Sequence, residues 1–195
     1  EANLDNPVGK RYLAYYPETL LEKDKKRLLA IADPKTEEKA KYDIRYVEVD
    51  RSSRLNENDL IMDFEAKTLN DETINTKNLR GKYVILEFAS TGCSWCWVAY
   101  PDMVKSVEGI KNLEVLTFNM DYNPEAWQNR ANKGNIKLPW PVLWKAENKR
   151  EIFIRYGINV LPTYFLISPE GKILERWLAG KEEKITRILE RHEIE

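Results

Sequence analysis

The sequence predicts an α/β domain built on a mixed β-sheet, preceded by a helical extension and connector over residues 1–56. Three observations carry that expectation. Two apolar runs, Tyr83-Val84-Ile85-Leu86-Glu87-Phe88 and Leu113-Glu114-Val115-Leu116-Thr117-Phe118, flank a helix-like stretch from Ser94 to Val107. That alternation builds sheets with helices packed on them. The only two cysteines, Cys93 and Cys96, stand where the first run gives way to the helix. Residues 163–178 then read as strand, tight turn and strand, so an antiparallel pair closes the alternation and the sheet is mixed.

In chain order, residues 18–31 form a candidate helix with Leu20, Leu21, Leu28 and Ile31 on one side. Asp33-Pro34, an N-cap with Pro at the first helical position, opens a second one reaching about Val47. Both are charge-rich with thin apolar stripes and carry no visible chemistry. Residues 51–58 are a polar connector. A leading hairpin is expected from residues 61–64 and 73–75 around Asn70-Asp71. Run 83–88 is apolar on both faces except for Glu87, as a central strand covered on both sides should be. A strand at 113–118 follows the helix. Asn123-Pro124-Glu125 opens a helix that Gly134 stops near Lys133. Residues 138–144, with Pro139 and Pro141, are extended; a helix follows over 147–156, ended by Gly157. Pro169-Glu170-Gly171-Lys172 is the tight turn, and a closing helix covers 181–192.

Composition excludes some classes of function. Lys and Arg total 31 against 32 Asp and Glu, which leaves no global field to attract nucleic acid or acidic lipid. No apolar run approaches the roughly 18–20 residues needed to span a bilayer. The first residue is Glu and not Met, so any signal segment or lipid-anchor cysteine is expected upstream of residue 1.

The sharpest motif is Cys93-Ser94-Trp95-Cys96. Two thiols three residues apart at a helix start lie about one turn apart on one side, within reach of a disulfide. The first looks out of the helix N-terminus, where unpaired N–H groups favour a thiolate; the second lies inside the first turn, less exposed. One thiol is placed to attack and the other to resolve. Blander readings are weaker. A structural bridge over so short a ring removes little chain entropy. A zinc site needs four ligands, and the chain offers two Cys and one His, His192. Two inert buried thiols remain an alternative.

Strand, CxxC, helix, strand and helix, then Val160-Leu161-Pro162-Thr163 before a hairpin and a last helix, resemble the thioredoxin fold. More narrowly they resemble the TlpA/ResA-like thiol–disulfide oxidoreductases of the bacterial cell envelope. The resemblance covers about residues 57–192, within the domain assigned to residues 57–195. It rests on Asn78-Leu79-Arg80-Gly81-Lys82, the CxxC, Pro101, Asp121-Tyr122-Asn123-Pro124-Glu125, Leu161-Pro162-Thr163 and Phe165 to Lys172. Residues 123–144 resemble the insertion that sets this subgroup apart, and the first 50 residues resemble helical tails found before such domains in Bacteroidetes-type multidomain proteins.

The resemblance implies an enzyme without a cofactor that exchanges disulfides with protein clients bearing thiols or disulfides, with reductant as the expected direction. An upstream thiol protein would supply its electrons, and its place would be the envelope or periplasm with a membrane tether. It implies a cis-Pro162 facing the disulfide, and Leu161, Thr163 and Trp95 beside the client. Glu87, six residues before Cys93, falls where thioredoxins carry a buried acid beneath the second Cys. It would pass the Cys96 proton, unless it is a carboxylate at the sheet edge reaching water. Three departures bear on the redox potential: Gly92 where the family usually has Trp, Ser94-Trp95 between the cysteines, and Ala99 where many members carry Glu.

Trp140 and Trp144 read as packing residues, while Trp97, beside Cys96, reads equally as core or as part of an apolar platform for the client. A peroxiredoxin-like thiol peroxidase is disfavoured, because Thr91 is too close to Cys93 and Leu86 is not Pro. A redox-inactive interaction module with a vestigial CxxC is the remaining rival.

Overall fold

The computed structural model describes residues 54–178 and 184–195. The two expected N-terminal helices, and the start of the closing helix at 181, lie outside the described residues. Leu55–Glu195 form one compact unit.

Within it the elements are β1 (Glu65–Thr68), β2 (Thr73–Asn75), a 3-10 turn (Thr76–Leu79), β3 (Tyr83–Ala89), α1 (Ser94–Val107), β4 (Leu113–Asn119) and α2 (Pro124–Lys133). They continue with β5 (Val142–Lys145), α3 (Lys149–Arg155), β6 (Thr163–Ile167), β7 (Ile173–Leu178) and α4 (Lys184–Arg191). One seven-stranded sheet runs in the order β2-β1-β5-β4-β3-β6-β7. β3, β4 and β5 are parallel, and β6 joins β3 antiparallel, so the sheet is mixed as expected. β3 is central, paired over its length with β4 and at five positions with β6.

The two faces of β3 read directly from its alternation. Ile85 and Ala89 point into the layer of α1, α2 and α4, with Cys96, Trp97, Tyr100, Met103, Trp127, Ile188 and Leu189. Leu86 and Phe88 are buried too. Phe88 meets Phe118, Phe153, Tyr156 and Phe165 at ring-centroid distances of 5.3 to 5.9 Å, so α3 closes the second face. Offset and edge-on contacts of this kind suit the ring quadrupoles.

α2 begins at Pro124 with Asn123 as its cap, the Asn123 side chain accepting the Glu125 N–H at 2.9 Å; Gly134 caps its C-terminus. The β6–β7 turn closes through Gly171, at φ +85°, where an added Cβ would lie 2.4 Å from Arg80 Cζ. Arg80 itself is held by Asp63 at 2.9 Å.

The leading hairpin sits later than its apolar pattern suggests. Its first strand is Glu65–Thr68, not residues 61–64. Phe64 donates its N–H to Thr76 Oγ1 and accepts the Thr76 N–H, so this backbone is already engaged before the ladder begins. α3 is also shorter than the expected 147–156, starting at Lys149.

Candidate active site

The site forms where β3 ends and α1 begins, at the C-terminal edge of the parallel strands. Cys93 is the N-cap of α1, with extended backbone, and its Sγ accepts the Cys96 N–H at 3.2 Å. Cys93 and Cys96 are joined as a disulfide, their Cα atoms 5.4 Å apart. Cys93 is half-buried whereas Cys96 has no exposed surface, so an incoming sulfur meets Cys93 first.

The loop before Cys93 is tied down from three sides. Asp121 Oδ2 accepts the Thr91 N–H at 2.6 Å. The Thr91 carbonyl accepts from Trp97 Nε1 at 3.0 Å and from Arg130 Nη1 at 2.6 Å. Arg130 also lies over the Trp97 ring, 5.3 Å from its centroid, and Trp127 packs on that ring at 4.7 Å. Behind Asp121, Lys149 is buried and donates to the Asp121 carbonyl at 2.7 Å and the Trp144 carbonyl at 2.6 Å. Burial pulls its amine down to about 8, with Asp121 opposing.

Glu87 has no exposed surface at all, which removes the sheet-edge alternative. Its position in the central strand, between Thr117 on β4 and Tyr164 on β6, is the reason. Thr117 Oγ1 donates to Glu87 Oε2 at 2.6 Å. Burial pushes the Glu87 carboxyl up to about 7, while Thr117, Tyr100 and Tyr164 pull in the opposite direction with less effect. Tyr100 lies one helical turn after Cys96 on the same side of α1. The carboxyl is therefore on the α1 side of the sheet, beside Tyr100. Burial, with the Glu87 charge second, holds the Tyr100 hydroxyl well above its ordinary value.

The Leu161–Pro162 peptide is cis. Pro162 is buried, and Leu161 packs against the same cluster as Cys93 and Cys96. Trp95, 62% exposed, stands between the cysteines, with Val98 exposed one turn on and Val160 exposed ahead of Leu161. The Thr163 side chain is completely buried and its hydroxyl donates to the Val160 carbonyl at 2.6 Å. Its backbone lies in β6, paired on both sides, so it braces the loop and offers no side chain to a client. Trp140 and Trp144 are packing residues as expected, and Trp97, open between core and platform in the sequence, is buried; each donates its indole N–H inward. Arg130, Asp121 and Lys149 were not anticipated; the contacts that tie them to the loop and to each other, Arg130–Thr91, Asp121–Thr91 and Lys149–Asp121, span 28 to 39 residues, beyond any local spacing.

Comparison with known proteins agrees with this geometry. The AhpC/TSA family description matches residues 58–176. The chain belongs to the AhpC/TSA family. Thiol-disulfide oxidoreductase ResA of Bacillus thuringiensis (strain Al Hakam) is 30% identical over 123 residues, 62% of this chain and 68% of that protein. Among solved structures, a thiol-disulfide oxidoreductase from Bacteroides fragilis NCTC 9343 is 25% identical with a TM-score of 0.57, over 69% of this chain and 99% of its own. The thioredoxin domain of a Bacteroides vulgatus thiol-disulfide oxidoreductase aligns with a TM-score of 0.63 at 22% identity, over 71% of this chain and 98% of that one. This AhpC/TSA member is thus a thioredoxin-fold protein of the thiol–disulfide oxidoreductase type, with Cys93 and Cys96 as its CxxC pair. Among the described residues, no helix is long and apolar enough to cross a membrane and no cluster of metal-ligating side chains is present.

Proposed function

We propose that Cys93 and Cys96 reduce disulfides of protein clients in the cell envelope. The observation that carries this reading is the asymmetry of the pair, one sulfur half-buried at a helix N-cap and the other sealed beneath it. In the dithiol form the Cys93 thiolate attacks one sulfur of a client disulfide and releases the other as a thiolate. Cys96 gives its proton to Glu87 and attacks Cys93 Sγ, displacing the remaining client sulfur. Two electrons pass to the client, its sulfurs take up protons, and the pair is left as the disulfide. Glu87 then returns its proton when the pair is reduced again. Trp95 and Leu161 supply an apolar platform for the client, and the loop at cis-Pro162 runs beside it. A thiol protein upstream re-reduces the pair, and a tether ahead of residue 1 would keep the domain at the membrane.

The reductant direction is supported by Ser94-Trp95, which puts no positive charge between the cysteines. Within the motif a Cys93 thiolate rests on the helix terminus alone, and a less stabilised dithiol gives up electrons more readily.

Two measurements test the reading. Cys96→Ser should accumulate mixed disulfides with clients through Cys93, and Cys93→Ser should accumulate none; the reverse pattern exchanges the roles. Equilibration with a glutathione buffer should give a potential nearer the roughly −270 mV of thioredoxin than the roughly −120 mV of a strong oxidant. A value at the oxidising end would reverse the direction.

A further inference from the structure

Glu87 has a second layer of support that arrives from the insertion. Thr117 is its direct cross-strand neighbour on β4, and Thr117 Oγ1 lies 2.6 Å from Glu87 Oε2. The same oxygen lies 3.0 Å from Trp140 Nε1. Trp140 belongs to the segment before β5, between Pro139 and Pro141, and the Thr117 N–H donates to the Pro141 carbonyl at 3.2 Å. The two prolines have fixed φ, and Pro141 keeps Trp140 out of the α region. Trp140, Thr117 and Glu87 are all buried.

The direction of the chain follows from donor and acceptor chemistry. An indole N–H only donates, and a hydroxyl carries one proton. With Trp140 donating into Thr117 Oγ1, the hydroxyl proton is turned toward Glu87, and Oε2 is fixed as an acceptor in both charge states of the carboxyl. Oε1 has no hydrogen-bond partner among the described residues. Tyr100 and Tyr164 act on the carboxyl as well, more weakly than Thr117, so Oε1 is the oxygen left open to carry the proton of neutral Glu87.

We propose that Trp140 and Thr117 are positioning residues that decide which oxygen of Glu87 exchanges the proton, reserving Oε1 for it. The consequence for disulfide exchange rests on the reading of Glu87 as the proton acceptor; the orientation of the carboxyl does not. The groups that act on Glu87 are Tyr100 from α1, Thr117 from β4 and Tyr164 from β6, with Trp177 of β7 stacked behind Tyr164 at 5.2 Å. None of the groups that act on its carboxyl is charged. A neutral donor held in place is then the main stabiliser of the ionised form.

The test is a carbon-13 NMR titration of the Glu87 side-chain carboxyl in the oxidised full chain, where no thiol is present. Thr117→Val should raise the midpoint by about one pH unit, the effect of losing one hydrogen bond to a buried carboxylate. Thr117→Ser should restore it. Trp140→Phe should raise it by roughly half as much, because the freed hydroxyl can turn and accept from the carboxyl instead. In the unmodified protein the Trp140 indole N–H resonance should shift with the same midpoint, a measurement that needs no variant to fold. A midpoint unmoved in Thr117→Val or Trp140→Phe, or an indole resonance flat through the titration, overturns the proposal. A midpoint that moves while the resolving step keeps its rate instead sinks Glu87 as proton acceptor and leaves the positioning intact.

Discussion

Burial raises the Glu87 carboxyl to about 7 from an ordinary 4.5, and that difference ties the stability of the fold to pH. Between those two values the folded chain holds a proton that the unfolded chain has lost. The contribution is fully present below about 4.5 and is lost as pH rises through about 7, a change of roughly 3 kcal/mol from this one group. Glu87→Gln should abolish that slope. Urea unfolding at pH 5 and pH 8 should show a smaller difference for the variant, with the variant equal or more stable at pH 8. The same substitution should slow release of client from a mixed disulfide near neutral pH by roughly tenfold or more, as expected on losing an internal base. The first attack by Cys93 should be spared. Stopped-flow measurement of the two steps separates these effects, and an unchanged pH–rate profile for release would return Glu87 to a structural role.

The element that most shapes the site is α2, which reaches the CxxC loop through Arg130 and packs Trp127 on Trp97 and Tyr100. Trp127 is almost wholly buried, so Trp127→Ala should cost about 3–5 kcal/mol in denaturant unfolding. Asn123→Ala removes only the cap and should cost about 1 kcal/mol. Both should loosen the Thr91 carbonyl and raise hydrogen exchange at the start of α1, with the larger effect in the Trp127 variant. α1 and α2 were legible in the sequence because their limits are local: a cysteine N-cap, an Asn-Pro start, a Gly stop. β3 was legible because its apolar run leaves no face for water, and Glu87 stood out as the exception. The first strand was misplaced because Phe64 and Asp63 are occupied by Thr76 and Arg80, long-range ties that leave no trace in periodicity. The same is true of the polar frame around the cysteines. Lys149 reads as one more lysine in a charged stretch, and only the fold brings its amine to the Asp121 carbonyl.

At the scale of the molecule, the near balance of 31 basic and 32 acidic side chains leaves no long-range steering, so exchange with clients should depend little on ionic strength. The compact unit Leu55–Glu195 begins two residues before the boundary expected at 57, and its first turn shows why. The Leu55 N–H donates to the Arg155 carbonyl at 2.8 Å, and Leu55 itself is buried. Asn58 donates to Ile173, Ile173 to Asp59 and Ile61 to Gly171, at 2.8 to 3.0 Å, stitching this segment to the β6–β7 hairpin. A chain starting at Leu55 should therefore fold and keep its exchange activity. One starting at Glu57 loses the Leu55 side chain and its hydrogen bond, about 2–4 kcal/mol. One starting at Met62 loses Ile61 and the remaining stitches as well. Its deficit should rival the roughly 5–15 kcal/mol that holds an ordinary domain together. Thermal unfolding of the three chains should fall in that order. Equal melting temperatures for the Leu55 and Met62 starts would show that residues 55–61 are passengers on the domain.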